Sequence, residues 1–146
     1  MLQWEIEVPV QVRYYETDQM GVVHHSNYSR YFEIARLEHL RIWGVPYGEM
    51  ERSGRLFMVI DIAYRCLKPA YFDEILQVKS WVHKMTRVRI VYHYKITRER
   101  GEVVVTGSVT LASVNRQGVL QAIPDPIWDA WKTTLSAEKQ RGQQTR

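Results

Sequence analysis

The chain has 146 residues, with 20 Lys and Arg against 16 Asp and Glu and a formal charge of +4. At 45% hydrophobic and 25% charged residues it has the make-up of one ordinary globular domain with a full core, which excludes a disordered chain. No apolar run approaches the roughly 20 residues of a membrane-spanning helix, so no membrane insertion is expected.

The first residues, Met1-Leu2-Gln3-Trp4-Glu5, lack the basic start and apolar block of a secretion signal. Cys66 is alone and cannot form an internal disulfide. Together these point to a cytoplasmic protein. The positive balance suits a phosphorylated small ligand as well as nucleic acid. Helix-turn-helix, zinc-finger and RNA-recognition spacings are all missing, so no nucleic-acid partner is expected.

In chain order, Trp4, Ile6, Val8, Val10, Val12 and Tyr14 alternate with polar neighbours, which predicts a strand ending near Glu16. Pro9 cannot donate a ladder bond and belongs on an edge or at a bulge. From Ser26 to Trp43 the period becomes helical. Tyr28, Tyr31, Phe32, Ala35, His39 and Ile42 form one stripe, widened by Ile34, Leu37 and Leu40. Ser26 or Asn27 can cap its start, Gly44 and Pro46 stop it, and Glu33, Arg36, Glu38 and Arg41 take the wet side. A short turn of helix over Pro46 to Arg52 follows.

Four more strands come next. Met58, Ile60, Ile62, Tyr64 and Cys66 alternate along the first; Glu74 to His83, Val88 to Ile96 and Val103 to Val114 make the others. These runs follow each other through short turns, so adjacent strands should run antiparallel. An amphipathic piece carries Ile127, Trp128 and Trp131. The domain is expected to span 1–135, with 136–146 a disordered polar tail. Apolar residues on the second strand faces, such as Val59, Trp81 and Val91, favour an oligomer.

The chemistry is concentrated between the first strand and the long helix, in Tyr14-Tyr15-Glu16-Thr17-Asp18-Gln19-Met20-Gly21-Val22-Val23-His24-His25-Ser26-Asn27-Tyr28. A carboxylate there sits beside a helix start, whose free N–H groups attract negative charge. Such a pair can attack a carbonyl and hold the oxyanion that results. The bland alternative is an Asp that only closes an Asx-turn. Asp18, His24, His25 and His39 lack the i, i+4 helical spacing of a metal pair, and no Cys joins them, so no metal is expected.

These residues resemble the hotdog-fold acyl-CoA thioesterases of the 4-hydroxybenzoyl-CoA thioesterase class. The Tyr14-Tyr15-Glu16 lead-in, Thr17-Asp18, Gly21-Val22-Val23 and His25 with Tyr28 are similar to the bacterial subgroup that includes the Tol–Pal-associated enzyme. Tyr64, Pro69-Ala70 and Asp73-Glu74 extend the likeness, which covers the chain to about Trp131.

The resemblance implies an α+β hotdog fold, a long helix wrapped by a five- or six-stranded antiparallel sheet. It implies hydrolysis of an acyl-CoA to a carboxylic acid and free coenzyme A, with no cofactor beyond the coenzyme A of the substrate. Asp18 is then the catalytic carboxylate, either attacking the carbonyl directly or activating water as a general base, and Tyr14 and His25 are active-site residues. The His25 main-chain N–H polarises the carbonyl. Gly21, Val23, His24 and Met58 are taken as substrate-binding positions, Met58 with core packing as its alternative. Read from the residues alone, Lys84, Arg87 and Arg89 around a strand turn are either a solvated edge that discourages aggregation or a cradle for coenzyme A phosphates. Sites of this family lie at homodimer interfaces, and dimers pair into tetramers. Two other readings stand beside hydrolysis: a hotdog dehydratase and a non-catalytic acyl-thioester-binding protein.

Overall fold

The computed structural model describes residues 3–144. Strand β1 (Glu5–Gln11) leads through a 3-10 turn (Tyr14–Glu16) to helix α1 (Ser26–Ile42) and a short α2 (Tyr47–Arg52). Strands β2 (Leu56–Cys66), β3 (Ile75–Met85), β4 (Arg89–Thr97) and β5 (Val103–Val114) precede helix α3 (Asp125–Gln144). The sheet order is β1-β3-β4-β5-β2, every pair antiparallel. This is the expected hotdog arrangement with five strands.

The inner sheet face carries Leu76, Val78, Ile90, Tyr92, Tyr94, Ile96, Val109 and Leu111, all buried with Tyr28, Tyr31, Phe32, Ala35 and Leu40 of α1 in one core. Each large side chain taken from water there contributes about 1.5–3 kcal/mol. Phe32 stacks on Tyr94 with centroids 4.2 Å apart. Its ring is admitted by Gly107, where a Cβ would lie 2.7 Å from it. Gly44, at φ +76°, ends the helix, and Val45 N–H returns to the Leu40 carbonyl at 3.0 Å.

Several local expectations change. β1 ends at Gln11 rather than near Glu16, because the Glu16 carboxylate folds back to accept the Arg13 N–H at 2.7 Å and closes a turn. Pro9 lies on an edge strand in unbroken register. Neither Ser26 nor Asn27 caps α1: His25 is the N-cap residue, without a side-chain bond, and the Asn27 amide serves the preceding turn instead. Glu33, Glu38 and Arg41 take the wet side of α1 as expected, but Arg36 is buried at 9% exposure while Ile34 and Ile42 are 48% and 47% exposed.

In β2 the register shifts between Val59 and Asp61, so Ile60 is the extra residue of a bulge. Val59 pairs with Leu111, and Ile62 with Val109, on the helix side; Met58, paired with Ala112, therefore faces the other way. Met58 and Ile60 do not share a face with Ile62 and Tyr64 as the simple alternation implied. The tail expected to be disordered is helical to Gln144. Ile127 and Trp131 dock the start of α3, and good helix formers such as Ala137, Glu138 and Lys139 propagate it.

Candidate active site

The turn between β1 and α1 is organised by Glu16, whose side chain is buried at 8% exposure. Its Oε1 accepts from the Arg13 N–H and from the Tyr31 hydroxyl at 3.0 Å. Its main-chain oxygen accepts from the His24 N–H and the Asn27 amide, both at 2.9 Å. Burial, and then the Glu16 charge, hold the Tyr31 phenol well above its usual range. Glu16 thus fastens the turn to the first two turns of α1.

Within the loop, Asp18 N–H donates to the Val22 carbonyl and the Asp18 carbonyl accepts from Gly21 N–H, each at 2.9 Å. Gly21 has φ +77°, a conformation a Cβ would strain. Asp18 Oδ1 accepts from Met20 N–H at 2.8 Å, so the Asx-turn of the bland reading is present. It occupies one carboxylate oxygen; among the described residues, Oδ2 makes no hydrogen bond.

The Asp18 side chain also lines a cleft of about 320 Å³ with Val23, His25, Tyr28, Cys66 and Lys68. The far wall is held by Val23 N–H donating to the Ala70 carbonyl at 2.8 Å. Arg98 supports that wall, donating to Glu74 and to the Pro69 carbonyl. Burial pushes the Tyr28 phenol up to about 12 and raises the Cys66 thiol, so neither offers an anionic nucleophile at neutral pH. At the start of α1, the His25 main-chain N–H has no acceptor among the described residues. Asp18 and His25, whose main-chain N–H is unpaired among the described residues, therefore line one cleft, and a carboxylate with a helix-start donor are the two parts an acyl-transfer site needs.

The expected site residues divide into two groups. Asp18, Val23 and His25 line the cleft, and Gly21 shapes its loop. His24 stacks on His25 with centroids 4.4 Å apart. Tyr14 is outside the cleft, 76% exposed, its ring edge-on to Phe72 at 5.5 Å. Lys84, Arg87 and Arg89 are at the other end of the sheet. β3 has 11 residues, and its Ile75 end meets Gln11 near the Asp18 loop; its Met85 end is roughly 30 Å away. Arg87 is engaged there with Asp125, the Ile123 carbonyl and the Trp128 ring. A second cavity of about 300 Å³ opens at that end between α1 and β2, lined by Glu33, Arg36, Leu37, Phe57 and Val59.

Glu16, Tyr64, Cys66 and Lys68 were not among the expected site residues. For Glu16 a local signal exists, an acid three residues after Arg13 in the spacing of half a capping box. Cys66 and Lys68 reach the cleft, and Tyr64 reaches the His25 ring, only through the tertiary placement of β2.

A family model described as the thioesterase superfamily matches residues 20–105. The chain is 31% identical over 135 residues to the provisionally named acyl-CoA thioesterase YneP of Bacillus subtilis, covering 89% of this chain and 94% of that protein. It is 31% identical over 99 residues to the acyl-CoA thioesterase YbgC of Haemophilus influenzae, covering 67% and 73%. A crystal structure of a DHNA-CoA thioesterase from Staphylococcus aureus superposes with a TM-score of 0.82 at 32% identity, over 97% of this chain and 95% of that one.

Proposed function

Starting from a chain that belongs to the thioesterase superfamily, we propose that it hydrolyses acyl-CoA thioesters to a carboxylic acid and free coenzyme A. The observation that carries this is the cleft shared by Asp18 and His25, whose main-chain N–H is unpaired among the described residues. A thioester is a good electrophile with a weakly basic leaving thiolate, so the site needs a nucleophile and an oxyanion donor but no strong acid. Asp18 attacks the carbonyl carbon, the C–S bond breaks, and coenzyme A leaves as the thiolate, protonated by water. Water then opens the mixed anhydride and restores the carboxylate. The Thr17-Asp18 to His25 motif supports a place near the Tol–Pal-associated subgroup.

The working unit in this reading is a homodimer paired through β2. That strand is a sheet edge carrying exposed Met58, Val59, Ile60 and Ile62. Its Cys66 end borders the Asp18 cleft, and its Leu56 end lies toward the second cavity and Arg89. Antiparallel pairing of two such edges sets the Leu56 end of one copy against the Cys66 end of the other. The distant cavity and the Lys84 and Arg89 cations then serve the partner's Asp18 cleft, for the acyl group and coenzyme A phosphates respectively. A dimer of dimers follows if the outer sheet faces, where Trp81 and Val91 stay partly exposed, also pair.

The test is thiol release from a panel of acyl-CoAs by the wild type beside Asp18→Asn. The variant loses ~10²–10⁴-fold in kcat with every substrate the wild type turns over. A variant that keeps its activity overturns the reading.

A further inference from the structure

The His25 ring has a partner that the reaction as described does not use. Its Nδ1 lies 3.2 Å from the Tyr64 hydroxyl, across the gap between the start of α1 and the far half of β2. We propose that Tyr64 is a positioning residue: its phenol donates to His25 Nδ1 and holds the neutral imidazole as the Nε2–H tautomer, leaving Nε2–H as a donor to the substrate carbonyl. The role of that donor rests on the thioesterase reading above.

Tyr64 is well held for the task. It pairs with Gly107 of β5. Its ring meets Tyr28 edge-on at 6.3 Å and Phe32 at 6.2 Å. Phe32 is itself wedged over Gly107, where even a methyl group would collide with it. Two aromatic rings and a missing side chain thus fix where the Tyr64 hydroxyl points.

The direction of the hydrogen bond follows from the chemistry of the two groups. A phenol keeps its proton to about pH 10, while a neutral imidazole offers one bare ring nitrogen. With Nδ1 facing the phenol, donation from oxygen to nitrogen is the favoured sense, and the ring proton goes to Nε2. The neighbouring ring obeys the same pattern: His24 Nδ1 accepts from the Ser26 main-chain N–H at 3.3 Å, which requires that nitrogen to be bare in His24 as well.

His25 lines the cleft with Asp18, so its remaining nitrogen is the one available to a bound acyl group. A neutral imidazole N–H polarises a carbonyl by hydrogen bonding, with no proton transferred. It would act beside the His25 main-chain N–H on the same oxyanion.

The test uses protein labelled with ¹⁵N in its 5 histidine rings, the His25 signal being assigned by its loss in His25→Ala. At a pH well above the imidazole range, long-range proton–nitrogen spectra of the wild type should show His25 with a bare Nδ1 and a protonated Nε2. Tyr64→Phe keeps the ring packing and removes the donor. It should move His25 to an averaged mixture of tautomers and lower kcat by a few fold to about tenfold, with KM little changed, the scale of a lost population preference. A protonated Nδ1 in the wild type, or an unchanged tautomer in Tyr64→Phe, overturns the proposal. A tautomer that shifts with no change in turnover leaves the hydrogen-bond assignment standing and overturns the role of His25 in hydrolysis.

Discussion

The two edges of the sheet are built to opposite ends. β1 is short and guarded. Its outward residues are Glu5, Glu7, Pro9 and Gln11, and Glu5 pairs with Lys79 at 2.9 Å. It is bolted at both ends: Gln3 O accepts from His39 Nε2 at 2.7 Å and from the Trp43 indole, and Glu16 closes the far side. Trp4 donates to Thr134 of α3 at 2.8 Å. β2 has 11 residues, no proline, one bulge and apolar side chains exposed on both faces. Charge and proline on an edge discourage added strands, and a long apolar edge invites one. The guarded edge holds the Asp18 turn still; the open edge is the one on which the proposed homodimer pairs.

The largest effect should come from breaking the open edge. Ile62→Lys places a charge in the proposed pairing surface and should give a species of half the mass by light scattering, with turnover reduced by more than about tenfold, because a displaced site loses far more than one contact. Glu7→Lys, the matching change on β1, should leave the mass unaltered. If both variants behave alike, the contrast between the edges fails.

On the guarded side, Glu16→Ala leaves the Arg13 N–H and the Tyr31 hydroxyl without their acceptor. It should cost roughly 2–4 kcal/mol in chemical denaturation. Gly107→Ala, behind β2, sets a methyl 2.7 Å from the Phe32 ring and 2.9 Å from the Ala63 carbonyl. About 1–3 kcal/mol of overpacking is expected, and melting temperatures measure it.

The smallest effect is a pH dependence at the β1 bolt. His39 is fully buried, and burial lowers its pKa despite the opposing hydrogen bond to Gln3. As pH falls through the ordinary histidine value of about 6.5, the unfolded chain takes up the proton first. Stability is therefore complete above that value and declines below it until the folded pKa is reached. His39→Gln should flatten this part of a denaturation-against-pH curve.

Much of the fold was legible because its signals are local. The alternation of Ile6, Val8 and Val10, the helical stripe from Tyr28 to Leu40 and the Gly44 stop need only neighbouring residues. Asp18, Gly21 and His25 were legible for the same reason, lying within one turn and one helix start. The bulge at Ile60 was hidden because Leu56 to Ile60 is apolar without interruption, so an extra residue leaves no break in the alternation. The phase of Arg36 was missed because a long side chain can carry its charge under a helix beside Tyr94, whose pKa burial raises and the Arg36 charge partly draws back. Tyr64 meets His25 across 39 positions of sequence, a distance at which no pattern in one chain speaks.

The position of Cys66 bears on how turnover should be followed. It is the chain's single cysteine, it is exposed, and it forms part of the wall facing Asp18. A colorimetric reagent that traps released coenzyme A at alkaline pH, where the raised Cys66 thiol ionises, would also derivatise this sulfur and plug the cleft it borders, slowing the enzyme with dye concentration and preincubation time. Cys66→Ser gives the clean baseline, and protection of the native sulfur by a non-hydrolysable acyl-CoA would convert the same interference into a titration of site occupancy.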